Sequence, residues 1–190
     1  AANLASQGKK VLIVTYNITL WHVIKDLISR ARIGFSWGKI EFNHFHGFCK
    51  DYMDENNFPW PSGDLSKNDW LETIPNAVKK IKAHNINNNR REYDAILIDE
   101  GQDFHKTWYE TLSLFLSKND EILFVIDEKQ NIYDRDNIWV DRMSGTKFKG
   151  RWRTLSKTFR LPFEVSLKAL EFSKKFLINS GIEINPENNS

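Results

Sequence analysis

Cysteine is almost missing from this chain of 190 residues. Cys49 is the single one, so no internal disulfide can form, and a reducing cytoplasm is the expected setting. Five prolines and nine glycines are too few for a collagen-like or low-complexity chain. No apolar run approaches the roughly 18 residues of a membrane-crossing helix, and no charged-then-apolar leader opens the sequence. No membrane partner is therefore expected. Neither sign of charge dominates: 27 basic side chains against 25 acidic ones leave a net charge of +2, so any polyanion-binding patch must be local. The phosphate-cradling pattern Gly-x-x-x-x-Gly-Lys-Ser/Thr is also missing. Gly34 to Lys39 has its glycines one residue too close, with Ile40 where a hydroxyl is needed, and Gly145-Thr146-Lys147 has the wrong order. The chain starts mid-pattern at Ala1-Ala2-Asn3-Leu4 without Met, and reads as a piece of a longer protein.

What is present is enough for one domain with a sizeable core: 41 % hydrophobic residues, 13 % aromatic, with seven Trp and thirteen Phe. The organising stretch is Tyr93 to Phe104. Ile96-Leu97-Ile98 is a short apolar run, as in a strand buried on both faces of a parallel sheet, and it stops at Asp99 and Glu100. Acids at the carboxyl end of such a strand stand where open α/β folds bind ligands. One can hold a hydrated magnesium ion while its neighbour deprotonates a water that attacks a phosphate. The alternative is a strand ending in solvated acids.

Other elements alternate around it. Ala1 to Gln7 read as the last turns of a helix with Gly8 as C-cap, and Val11 to Thr15 as a buried strand. Asn17 or Thr19 caps a helix whose apolar positions Leu20, Val23, Ile24, Leu27 and Ile28 recur at helical spacing. A strand at Ile40 to Asn43, a helix from Phe45 to Met53, a polar loop from Asp54 to Asp69 and a helix from Asp69 to His84 follow. Trp108 to Leu116 is expected to be helical and Ile122 to Asp127 a further buried strand. Arg151 to Ser156 is a candidate strand, and Pro162 opens a helix to Leu177. The alternation implies a mostly parallel sheet with right-handed crossovers. His44, His46 and Cys49 lack a fourth ligand at zinc spacing.

Two further blocks repeat the strand-end logic. Asp127-Glu128-Lys129-Gln130-Asn131-Ile132-Tyr133 follows the second acidic strand, and a Gln there can hydrogen-bond a terminal phosphate and a water together. In Thr158-Phe159-Arg160, an Arg at a strand-to-helix junction can neutralise a transferring phosphoryl group, and the Phe can stack on a base.

Taken in order, these blocks resemble the UvrD/Rep-like superfamily 1 DNA helicases. Asp99-Glu100-Gly101-Gln102-Asp103 looks like their motif II, the Walker B element; Asp127 to Tyr133 resembles motif III, and Thr158-Phe159-Arg160 motif IV. Val14-Thr15-Tyr16-Asn17 is similar to motif Ia, and His44-Phe45-His46-Gly47-Phe48 to the Thr-Phe-His block after it. The resemblance spans Lys10 to Leu177. It implies a three-layer RecA-like P-loop NTPase core, α/β with a mostly parallel sheet and truncated at its N-terminus, over residues 1–180. A reduced helical insertion would lie at about 50–90 and a disordered tail at 181–190. It further implies ATP and Mg2+ as cofactors and single-stranded DNA, with RNA as an alternative, as partner. Asp99 would be the magnesium-linked acid and Glu100 the base; Gln130 would sense the γ-phosphate, Arg160 contact it, and Phe159 pack on the adenine. Thr15, Tyr16, Phe45, His46 and Tyr133 would line the single-strand track, where ring faces serve any sequence.

The departures set further expectations. The missing P-loop would lie just upstream of Ala1, and the second RecA-like domain downstream. Both would be partners from the parent helicase, and the piece alone would be inactive. Tyr133 is followed by Asp134-Arg135-Asp136 rather than Gly-Trp-Arg, which removes one stacking Trp. The short insertion keeps an alternative open, a nucleotide-switch ATPase acting on RNA or a protein partner without unwinding.

Overall fold

The computed structural model describes residues 1–17, 19–84, 91–126, 143, 145–148, 152–153 and 162–176. The chain divides into two compact units, Ala1–Thr146 and Lys147–Ser190.

The first unit is built on a four-stranded parallel sheet of β1 (Val11–Thr15), β2 (Ile40–His44), β3 (Tyr93–Asp99) and β4 (Leu116–Phe124), in the order β2-β1-β3-β4. β1 is buried along its whole length, as expected for Val-Leu-Ile-Val-Thr in the middle of a parallel sheet. The pairing Val11↔Ala95 through Thr15↔Asp99 makes β1 and β3 stop together, so Thr15 and Asp99 share one rim.

Helices cover both faces. On one, α1 (Ala2–Ser6) and α2 (Leu20–Ser29) pack over Val11, Ile13, Ile40 and Ala95. Gly8 takes φ +81 directly after α1, the left-handed stop that a glycine provides at little cost. The start of α2 is tied by Asn17, whose Oδ1 accepts from the Thr19 backbone N–H (3.0 Å) and hydroxyl (2.8 Å). The other face carries α3 (Phe45–Glu55), α4 (Ile74–His84) and α5 (Lys106–Ser113), which bury Phe45, Phe48, Tyr52, Ile74, Val78, Trp108 and Leu112. The described residues of the region corresponding to the expected insertion are in α3, a loop, a π-helical turn at Asp69–Thr73 and α4.

Three boundaries differ from the sequence expectation. The helix expected from Asp69 is a π-helical turn at Asp69–Thr73 that becomes α-helical at Ile74. Pro75 lacks the N–H for the i−4 carbonyl, and a wider turn ahead of it removes that demand. The helix expected at Trp108 to Leu116 is Lys106–Ser113, and the next strand starts at Leu116 instead of Ile122. That strand is not fully buried: Phe124 is 5 % exposed, whereas Leu123 is 54 % exposed. Leu123 pairs with Leu97 on the face of α1 and α2, but their core cluster ends at Ala95 and Leu97. Asp127 lies outside the described residues.

A polar network fastens the opposite end of the sheet. Arg91 pairs with Glu41 and Glu55 (Nη1 to Oε1 2.9 Å), donates to the Tyr93 hydroxyl (3.0 Å) and lies over the Phe48 ring at 4.7 Å. The Tyr93 hydroxyl in turn donates to Glu41 (2.6 Å). Among the described residues no helix is long and apolar enough to cross a membrane.

In the second unit, the described element is α6 (Phe163–Phe176), which follows Pro162. The Ser166 backbone N–H donates to the Pro162 carbonyl (3.0 Å), so the helix opens at the proline as expected. The candidate strand at Arg151 to Ser156 falls mostly outside the described residues, as does the tail.

Candidate functional site

The rim at the carboxyl ends of β1 and β3 gathers Thr15, Tyr16, Asp99 and Glu100. β3 ends on Asp99, and the backbone turns sharply at Glu100, which has φ 54 and ψ 43. A left-handed conformation is uncommon for a residue with a Cβ and is held only where surroundings enforce it. Here the enforcement is visible. The Gly101 N–H donates to the Val125 carbonyl (2.8 Å), and the Val125 N–H donates to the Ile98 carbonyl (2.9 Å). Asp103 and Phe104 then donate back to Glu100 and Gly101 in a 3-10 turn at Gly101–Asp103.

Gly101 is required at its position by space. A Cβ there would sit 2.4 Å from Cε1 and 2.6 Å from Cζ of Phe124. The turn is thus pressed against the buried ring, and the left-handed residue before it throws the Glu100 carboxylate to the rim. Gln102, 4 % exposed, donates from Nε2 to Glu100 Oε2 at 2.6 Å. It fixes the orientation of that carboxylate.

Burial pushes the Asp99 carboxyl above its ordinary range; the Glu100 charge adds to the effect and the Glu100 backbone N–H opposes it. Asp99 is a carboxylate at the rim carrying a desolvation cost, a donor of the kind a hard divalent cation takes, whose charge would relieve that cost. The residues present therefore fit Mg2+.

Beside the acids lies an aromatic cluster. Trp108, 3 % exposed, stacks on Phe45 (4.7 Å, 12°) and lies parallel to Tyr16 at 6.3 Å. His46 meets Trp108 and Trp70 edge-on, both at 4.7 Å, and its Nε2 lies 2.9 Å from the Trp70 carbonyl, which also accepts from Trp108 Nε1 (3.1 Å). Tyr16 and His46 are half-buried at the cluster's border. Phe45 is 2 % exposed, with Trp108 stacked on its face, and packs in the core. Phe48 is likewise buried, as is Cys49, whose thiol is pushed far up by burial. Thr15 is 1 % exposed and donates its hydroxyl to the Asn17 carbonyl (2.9 Å), so it shapes the turn that presents Tyr16.

Gln130, Tyr133, Phe159 and Arg160 lie outside the described residues, so their relation to Asp99 and Glu100 is not described. Two contributors escaped sequence reasoning, Gln102 as the partner of Glu100 and Trp108 as the plate behind Tyr16, Phe45 and His46. The Gln102 contact depends on the left-handed turn at Glu100, which the sequence does not announce, and nothing local pointed to Trp108.

Residues 62–135 match the family model of the UvrD/REP helicase N-terminal domain. The matched stretch includes both acids and the Gly101–Asp103 turn, and it agrees with the resemblance carried by the motifs. The parallel α/β sheet agrees with a RecA-like core. Comparisons with curated proteins and with solved structures gave no match.

Proposed function

We propose that this chain carries the acid-bearing half of the nucleotide site in an ATP-dependent DNA helicase or translocase of the UvrD/Rep type. The observation that carries the reading is the Asp99–Glu100 pair. It stands at the end of a central parallel strand, inside the stretch that matches the helicase domain model, with Glu100 held left-handed and oriented by Gln102. Mg2+ bound with ATP supplies charge neutralisation on the phosphates. Asp99 would hold that ion. Glu100 accepts the proton of the attacking water, and the hydrogen bond from Gln102 keeps its carboxylate aimed at the rim. The motif resemblance alone assigns γ-phosphate contacts to Gln130 and Arg160, base packing to Phe159 and a place on the single-strand path to Tyr133; half-buried Tyr16 and His46 would border that path, with Thr15 supporting the turn beneath Tyr16.

The P-loop and the second motor domain belong to the parent protein in this reading, and the protein works in the cytoplasm. A purified chain with the present sequence accordingly shows no magnesium-dependent ATP hydrolysis, and turnover that disappears in Glu100→Gln would contradict this.

One observation favours a second reading, a nucleotide-switch ATPase that unwinds nothing. Between β2 and β3 the helices are α3 and α4, and both contribute buried residues to the core. Titrating the parent protein's ATPase with single-stranded DNA and with RNA separates the two. Stimulation by DNA supports the motor; no response to either polymer supports the switch.

A further inference from the structure

The edge of the sheet formed by β2 and α2 carries a surface that the strand-end rim does not use. Trp21, Phe35, Trp37 and Phe42 form a continuous aromatic group: Phe35 meets Trp37 edge-on at 4.9 Å, and Phe42 lies 6.2 Å from Trp21 and 6.5 Å from Trp37. None of the four is buried, and Trp37 is 39 % exposed. The Lys25 ammonium bridges the two indoles, 5.9 Å from the Trp21 ring and 5.7 Å from the Trp37 ring. Trp21 and Lys25 are four residues apart on α2 and so share one helix face.

Charge is segregated here. Between residues 20 and 40 the chain has Lys25, Arg30, Arg32 and Lys39 against Asp26 alone, whereas the whole chain is nearly balanced. Asp26 is engaged by Arg30 at 2.6 Å. Among the described residues no ion pair engages Lys25, Arg32 or Lys39, and all three are exposed. The next acid, Glu41, is taken by Arg91 and Tyr93. Cations without acidic partners beside the exposed Trp37 ring and the partly exposed Trp21 ring are complementary to one class of polymer, in which phosphates alternate with stacking bases. A protein partner recognised by apolar contact alone would have no use for the uncompensated cations.

We propose that the Trp21–Lys25–Trp37 surface binds single-stranded nucleic acid, DNA or RNA, through phosphate contacts and base stacking. The surface runs along the β2 edge away from the rim, from Trp21 near the start of α2 to Trp37, which precedes Ile40 at the starting end of β2, the end of the sheet opposite Asp99. A strand held there would be gripped at a second point, away from the nucleotide.

The test uses the chain as it is, with fluorescein-labelled dT and rU oligomers carrying a 5-iodouracil for photo-crosslinking. Wild type binds both at low salt, and the adducts map to peptides spanning residues 21–42. Trp37→Ala weakens binding about tenfold, one stacked base being a factor of roughly 5 to 150. The Lys25→Glu/Lys39→Glu pair weakens it further and lowers the salt slope by about 1.4, since each phosphate contact on a single strand contributes about 0.7. These exposed substitutions leave the unfolding temperature near that of wild type, and the charge pair alone suffices if Trp37→Ala unfolds the chain. Unchanged affinity in both variants, with adducts elsewhere such as at Tyr16, overturns the surface while leaving single-strand binding in place. Absence of binding to either oligomer also overturns it, while the rim reading keeps its own test in nucleotide turnover.

Discussion

Replacing Gly101 by Ala tests whether the turn that carries Glu100 is as tightly wedged as the geometry states. The added methyl would meet Phe124 at 2.4, 2.6 and 2.9 Å, about 1 Å inside an ordinary carbon contact. Phe124 cannot easily retreat. It is 5 % exposed and is met edge-on by Phe104 and Tyr109, each with ring centroids 6.4 Å away. Overpacking of this kind costs about 1–3 kcal/mol. Gly101 lies outside the left-handed region, so Ala also removes unfolded-state entropy and returns about 0.4–1 kcal/mol. The net expectation is a loss of up to about 2.6 kcal/mol, centred near about 1.3 kcal/mol. Urea unfolding reads this as a lower midpoint at unchanged slope. Phe124→Leu in the Gly101→Ala background should relieve the clash, giving a favourable coupling of about 1 kcal/mol in a double-mutant cycle. A stabilised Gly101→Ala variant, or strictly additive substitutions, would show that Phe124 does not wedge the turn.

Two further perturbations probe the sheet. Arg91→Met should cost about 2 kcal/mol, since it leaves Glu41 and the Tyr93 hydroxyl without their central partner while Glu55 is exposed enough to be solvated; adding Glu41→Gln should recover part of that loss in the same urea assay. His44 is held below its ordinary 6.5 by burial, with Asp51 opposing. The unfolded chain therefore takes up the proton first on acidification, and the stability due to neutral His44 is lost as pH falls through 6.5. Melting temperatures at pH 7.5 and 5.5 should differ less for His44→Gln than for wild type.

Much of the framework was legible locally because its signals are local. Val11 to Thr15, the helical spacing from Leu20 to Ile28, Gly8 and Pro162 each announce their element through their own side chains. The acids after Ile98 were readable because a parallel strand must end at a rim. Leu114-Phe115-Leu116 was not readable: it contains no turn residue, so helix and strand run together in the sequence. The break is set by tertiary pairing, in which the Tyr93 N–H donates to the Phe115 carbonyl (2.8 Å). An aromatic ring such as Phe45 looks alike in a core and on a surface, and its burial against Trp108 is set by tertiary packing that no local pattern announces. Gln102 needed the left-handed turn at Glu100 before its contact could be seen.

In the proposed function Glu100 is the base of a nucleotide-hydrolysing site. Steady-state ATPase of the parent protein with saturating single-stranded DNA, wild type against Glu100→Gln, tests it most directly. The expected result is a fall of about 10²- to 10⁴-fold in turnover with ATP binding retained, the range that a positioned general base contributes. Turnover within a factor of about two of wild type would contradict it, because no base contribution of that size could then reside at Glu100.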